Sequence, residues 1–254
     1  MALTLEEYER LNPRCEIEHE GVNMVFATPG KLTKQRVDTI YRKEPWTLEW
    51  IATFKPGEIL LDCGANVGMY TIWAAATRKV KVYAFEPESQ NYALLNRNIL
   101  ANGLGDLVKA YCMGLLDKAG LFDLYMEDMR VGGSCHAVGE ALGFRHQPLN
   151  TQFVQGCIAG TLDELVAEGA VPVPNHIKVD VDGFEPKVIA GARATLAKPA
   201  VRSVLIELNQ NLDDHRALVR EMNDMGFRHD PAQVRRAERK EGTFMGVAEH
   251  VFRR

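Results

Sequence analysis

GEILLDCGANVGMYTIWAAA, Gly57 to Ala76, is an apolar run closing on Asp62, then a turn, then an alanine-rich apolar segment. The turn holds Gly64, Ala65, Asn66 and Gly68. Strand, glycine turn and helix in that order are the unit from which parallel sheets are built. Working outward, KVKVYAFEP reads as a second strand and ESQNYALLNRNILANG as a helix stopped at Asn102-Gly103. DLVKAYCMG, GLFDLYME and QFVQGCIA read as short strands around a polar, glycine-rich stretch from Asp128 to Thr151. TLDELVAE carries a capping-box pattern, Thr161 with Glu164 three residues on. HIKVDVDG and VRSVLIEL read as buried strands, separated by the helix EPKVIAGARATLA with Pro186 in its first turn. LDDHRALVREMNDMG is a helix ending at Gly226, and TFMGVAEHVF closes the chain as one or two strands.

Strands alternating with helices predict an α/β, Rossmann-like domain: a mainly parallel sheet with helices on both faces. That domain is expected over residues 56–254. Residues 1–55 are expected to form a small N-terminal cap, with a strand in GVNMVFATPG and a helix in EPWTLEWIATF. The 254 residues are 46% hydrophobic, enough for one such domain with an appendage, and a net charge of −4 provides no basic field for nucleic acid. The one basic cluster, VRRAERK (Val234 to Lys240), reads as a solvated face. Five scattered cysteines without a CxxC spacing predict reduced thiols, hence a cytoplasmic protein, and neither zinc nor disulfides. The start, MALTLEEYERLNPR, lacks a secretory pattern, and no run is long enough for a membrane span.

In parallel sheets ligands bind at the carboxyl ends of the strands. Asp62, Glu86, Asp180 and Glu207 all end strands, and four carboxylates at one sheet edge repel unless a cation or hydrogen-bond donors sit among them. A dinucleotide fold needs G-x-G-x-x-G, whereas Asn66 here takes the middle glycine's position, and Asp62 adds negative charge. A ligand with a cationic amino-acid end and an adenosine end suits the site better. The turn's amides and the helix start are expected to meet a carboxylate, an acidic side chain an ammonium, and Glu86 both ribose hydroxyls. S-adenosylmethionine carries all of these groups.

LDCGANVGMYT, VYAFEPESQNYALLNRNILANGL and HIKVDVDGFEPKVIAGARATLAKPAVRSVLIEL, with EPWTLEWI and TLDEL ahead of the first and last blocks, resemble the FkbM family of S-adenosylmethionine-dependent methyltransferases. The likeness runs over roughly residues 44 to 210. It implies a seven-stranded methyltransferase sheet, cofactor contacts at Asp62, Gly64, Ala65, Asn66, Gly68 and Glu86, and methylation of a hydroxyl on a sugar or secondary metabolite. Where the family often reads D-x-E-G, this chain has Asp180-Val181-Asp182-Gly183, one methylene shorter at Asp182.

Methyl transfer from a sulfonium to a hydroxyl needs in-line positioning and a group that takes the proton. Asp180 is the first candidate, as base or as ammonium ligand, and Glu207 is expected to share a proton or a divalent ion with Asp180 and Asp182. An all-carboxylate set would favour magnesium or calcium, but no spacing demands a metal and none is assigned. Tyr70 and Phe85 flank the pocket, as core packing or as aromatic faces for the sulfonium, and Tyr70 and Pro87, which follows Glu86 at the strand end, are expected among the cofactor-binding residues. His136, in the irregular stretch, is an ordinary surface histidine or a base, and His176 is expected to make a local hydrogen bond. Glu185, just before Pro186, is expected to interact with a helix start. The stretch 128–151 is long enough for a substrate lid. A nicotinamide-dependent oxidoreductase and a non-catalytic cofactor-binding protein are the alternatives; a nucleic-acid methyltransferase lacks both motif and charge.

Overall fold

The computed structural model describes residues 3–254; Met1 and Ala2, with which the expected cap and the chain start begin, lie outside the described residues. Helix α1 (Leu5–Arg10) leads into the hairpin β1 (Arg14–His19) and β2 (Val22–Ala27), then α2 (Lys31–Lys43) and α3 (Pro45–Ala52). The next elements are β3 (Ile59–Cys63), α4 (Met69–Arg78), β4 (Lys81–Phe85), α5 (Ser89–Ala101) and β5 (Val108–Tyr111). Four short strands follow, β6 (Gly114–Leu115), β7 (Gly120–Met126), β8 (Ala137–Val138) and β9 (Phe153–Gly160). The chain then forms α6 (Leu162–Ala167), β10 (His176–Val179), α7 (Glu185–Ala190), α8 (Arg193–Leu196) and β11 (Ser203–Asn209). It closes with α9 (Asp213–Asp224), α10 (Pro231–Ala237) and β12 (Val247–Arg253).

The central sheet has six strands in the order β12-β11-β10-β3-β4-β5, all neighbours parallel except β11 and β12. Helical crossovers enforce the parallel pairs. The expected α/β architecture is present, but the seventh strand shrinks to one antiparallel bridge, Arg228 to Arg253. Asp230 caps α10 and Pro231 opens it, so the chain turns off the sheet before a strand can extend. The short runs after β5 build a separate four-stranded sheet, β6-β9-β7-β8. The helix expected over EPKVIAGARATLA is broken at Gly191, where a Cβ would lie 2.0 Å from the Leu116 carbonyl oxygen.

Successive strand residues point to opposite faces, and the two halves of the core follow from that. Leu60 packs with Val82, α4 and α5 on one face; Leu61 packs with Ile177, Val204 and the helices after β10 on the other. Met24, Phe26, Ile40, Trp50 and Ile51 from the N-terminal segment belong to the first face, so this segment shares the sheet's core. The exposed edge of β2 is sealed by side-chain amides. The Ala27 amide donates to Asn98 Oδ1 and the Val25 amide to Asn102 Oδ1, each at 2.8 Å. Asn98 Nδ2 in turn donates to the Val67 carbonyl at 2.8 Å, tying the glycine turn to the same helix.

Replacing Asn98 by alanine strands a strand amide and a turn carbonyl. Asn98→Ala is expected to cost about 2–4 kcal/mol in urea unfolding, and a loss below about 0.5 kcal/mol would mean that water replaces both bonds.

Candidate active site

The turn after β3 runs against the end of β10. At Gly64, with φ +81°, an added Cβ would lie 1.9 Å from the Asp180 carbonyl oxygen, so only glycine lets the two backbones meet. The turn's amides are spent internally. Gly64 and Ala65 both donate to the Phe85 carbonyl, Asn66 to Glu86 Oε2, Val67 to the Asn66 side chain and Gly68 to the Ala65 carbonyl. The expectation that these amides hold a ligand carboxylate is therefore corrected. What stays open is the start of α4, where Gly68 has no side chain to cap the helix.

Two cavities meet at this turn, both touching Gly64, Asn66 and Asp180. The larger, about 610 Å³ of empty space, has Phe85, Met113, Leu115 and Leu116 among its apolar walls, and Glu86, Pro87, Ser134, His136, Asp180 and Asp182 also line it. Glu86 is held rigidly, Oε2 accepting the Asn66 amide at 2.7 Å and Oε1 the Glu88 amide at 2.9 Å. Burial outweighs those bonds and pushes its carboxyl up to about 7. Among the described residues the buried His136 Nδ1 has no hydrogen-bond partner, and burial lowers the imidazole below its ordinary value, so the ring is neutral near pH 7. It is thus a wall residue of the cleft and not an ordinary surface histidine.

The smaller cavity, about 420 Å³, lies between the turn and the N-terminal helices, lined by Arg36, Lys43, Glu44, Ala65, Met69, Tyr70 and Lys178 among others. Lys178 Nζ lies 2.8 Å from Asp180 Oδ2 and 3.9 Å from Asp62 Oδ1, with 2% of its side chain exposed. Burial alone would lower its ammonium, but Asp180, Asp62 and Glu44 together raise it. Its charge also stands 5.4 Å from the centre of the Tyr70 ring, which leaves that face unavailable to a sulfonium. Asp62 lines neither cavity. It is buried beneath the turn, accepts from Thr71 Oγ1 at 2.6 Å, and among the described residues its Oδ1 has no hydrogen bond. A direct contact between Asp62 and a ligand ammonium is not available in this arrangement; Asp180 faces both cavities instead.

Residues 62–229 match the model of the methyltransferase FkbM domain, well over half of the chain. The chain belongs to this family. It is 28% identical over 156 residues to the hexuronic acid methyltransferase AglP of Haloferax volcanii, covering 61% of this chain and 58% of that one. It is 24% identical over 176 residues to the 31-O-demethyl-FK506 methyltransferase FkbM of Streptomyces tacrolimicus, covering 61% and 66%. The matches thus span less than two thirds of either relative's own length. In fold the chain is similar to magnesium protoporphyrin IX methyltransferase of Synechocystis PCC 6803, with a TM-score of 0.51 at 12% identity over 90% of this chain and 86% of that one.

Beyond the residues expected from the family's pattern, the FkbM-type site here depends on cations that the sequence reading passed over. Arg239, from the cluster read as a solvated face, inserts among three carboxylates: half-buried Glu207 at 2.6 Å, and buried Glu249 at 3.6 Å and Glu44 at 3.7 Å. Glu207 therefore lines neither cavity. Burial, then the Asp180 charge, holds its carboxyl well above the ordinary range, and Arg239 only partly offsets this. Asp182 is likewise raised by burial and then Asp180, while its Oδ2 accepts the Cys135 amide at 2.7 Å. Oxygens of Asp180, Asp182 and Glu207 all lie within 4.8 Å of one another, a cluster of three acids at one sheet edge. Glu185 closes its own loop by accepting the Val181 amide at 2.9 Å, a loop contact and not the helix-start contact expected of it. His176 sits at the opposite end of its strand, bonded to Glu58 and Ser203 at 2.7 Å each; its partners are remote in sequence, not local.

Removing the one guanidinium shared by three acids gives a signed expectation. In Arg239→Ala the acids can fold comfortably only by taking up protons, so the stability lost relative to wild type grows with pH. It should reach about 3–5 kcal/mol near pH 8 and shrink towards pH 5, measured by urea unfolding across that range. A pH-independent loss would show that packing, and not charge, is what Arg239 supplies.

Proposed function

We propose that this protein is an S-adenosylmethionine-dependent methyltransferase that methylates a hydroxyl of a sugar or a secondary metabolite. The observation that carries this reading is Glu86, fixed by two backbone amides in the wall of the larger cleft beside apolar side chains. The donor set fits the group: a carboxylate for two vicinal ribose hydroxyls, apolar walls for a flat base, and Asp180 for an ammonium or a proton. The names of the two relatives, a hexuronic acid methyltransferase and a 31-O-demethyl-FK506 methyltransferase, support an oxygen acceptor on a small molecule. Asn66 supports this cofactor over a nicotinamide dinucleotide, since its carboxamide stands where a pyrophosphate needs a bare backbone. The five free cysteines fit a reducing compartment, and we place the protein in the cytoplasm. Residues 1–55 act as the cap and 56–254 as the methyltransferase domain.

When bound, the cofactor supplies a sulfonium-activated methyl group for in-line transfer. Glu86 and Pro87 orient the adenosine end, and the Gly64–Gly68 turn sets its depth. Asp180, anchored through Oδ2 to Lys178 and lining both cavities, is the group for the acceptor's proton or the ammonium. His136, neutral and with Nδ1 unpartnered, is a second acceptor for that proton. Glu207 acts through Asp180 as a positioning residue.

Two measurements test this. Asp180→Asn should lower turnover about 10²–10⁴-fold, assayed as labelled methyl transfer to uronic acid glycosides, while affinity for S-adenosylhomocysteine changes little; the reverse split makes Asp180 a cofactor ligand. The Glu86 carboxyl, raised to about 7, must be ionised to accept two hydroxyls. Calorimetric affinity for S-adenosylhomocysteine should therefore fall as pH drops below about 7, by up to about tenfold per pH unit, and Glu86→Gln should flatten that slope. A wild-type affinity that ignores pH over this range removes Glu86 from the ribose.

A further inference from the structure

We infer that Arg36, on α2 of the N-terminal segment, binds the α-carboxylate at the amino-acid end of the cofactor; the inference rests on the S-adenosylmethionine reading above. The smaller cavity continues from the larger one past Gly64, Asn66 and Asp180, which is where a ligand with its ribose at Glu86 must send its amino-acid end. An anion arriving there finds no donor in the turn, whose amides from Gly64 to Gly68 are all engaged. Three cations line this cavity. Lys178 is committed to Asp180, and Lys43 lies 2.6 Å from Glu44. Arg36 alone among the three has no carboxylate partner among the described residues.

Its guanidinium uses only Nε, donated to the Gly132 carbonyl at 2.8 Å, which leaves the two terminal nitrogens available as a fork. A planar fork matches a carboxylate in two parallel hydrogen bonds. The side chain is half-buried, so the pair would be screened less than one on the surface. The uncapped start of α4 supports the same assignment independently: Met69 and Tyr70 line this cavity, and Gly68 offers their end of the helix no side-chain acceptor. A helix start and an unmatched guanidinium facing one cavity both favour an anion. Because Nε holds Gly132 of the 128–151 stretch, occupation of the fork would also steady the loop over the cleft.

Calorimetry with two ligands separates the possibilities. S-adenosylhomocysteine carries the carboxylate; 5′-methylthioadenosine shares the adenosine and sulfur but lacks the amino-acid end. Arg36→Ala should weaken S-adenosylhomocysteine about tenfold to hundredfold and change 5′-methylthioadenosine less than about twofold, with Arg36→Lys in between. Retained binding of 5′-methylthioadenosine also reports that the variant is folded. Unchanged S-adenosylhomocysteine affinity overturns the assignment, as does an equal loss for both ligands, which would make Arg36 a support for the loop. Wild-type protein that binds neither ligand would instead overturn the cofactor reading itself.

Discussion

A parallel sheet points every strand's carboxyl end the same way, and in this chain β3, β4, β10 and β11 carry acids at or beside those ends. The structure is possible because Lys178 sends its ammonium from inside β10 to the same edge, against Asp180 and near Asp62. A lysine in the middle of a central strand is costly unless its charge is matched, and removing either side would leave an uncompensated buried ion. The match also fixes geometry. Asp180 is the residue whose carbonyl Gly64 must clear, so the ion pair, the glycine turn and the junction of the two cavities are set by one another.

Arg239 does for β11 and β12 what Lys178 does for β3 and β10. Glu207 and Glu249 are direct antiparallel partners, and like charges opposite one another on neighbouring strands destabilise a sheet. Arg239 lies between them and reaches Glu44 ahead of α3, so the N-terminal segment is joined to the last strand by charge as well as by its apolar face. The loop over the cleft is joined in turn. The Gly133 carbonyl accepts from Asn66 Nδ2 at 2.6 Å and Asn91 Nδ2 at 3.2 Å, while Gly132 is held by Asn91 and Arg36. Cleft, loop and N-terminal helix therefore share one hydrogen-bonded network.

What was legible in the sequence was local. The strand–turn–helix at Gly57–Ala76, the capping box at Thr161 and the acids at strand ends can be read because each signal lies within a few residues. Four strand-end acids at one edge also call for a cation or hydrogen-bond donors among them. Their identity was not legible, because Lys178 and Arg239 meet partners far away in sequence, and VRRAERK has the composition of a solvated face. Helix α2 was missed for a related reason: its apolar stripe is narrow, with Val37 and Ile40 as its buried hydrophobic residues in a strongly charged segment. That omission hid Arg36. The position of Asp62 was also out of reach, since a strand-end acid looks the same whether it lines a pocket or lies beneath it.

The shortened residue in Asp180-Val181-Asp182-Gly183 has a physical reading once the backbone is considered. Asp182 has φ 56°, in the left-handed region, where aspartate is several-fold enriched over most non-glycine residues because its short polar side chain tolerates the crowding. Its carboxylate takes the Cys135 amide at 2.7 Å, so the loop over the cleft is drawn directly onto the turn after β10. A glutamate at this position, as the family often has, would gain a methylene of reach but lose both the conformational preference and the short link to Cys135. The departure thus exchanges reach into the cleft for a closer seat of the loop above it.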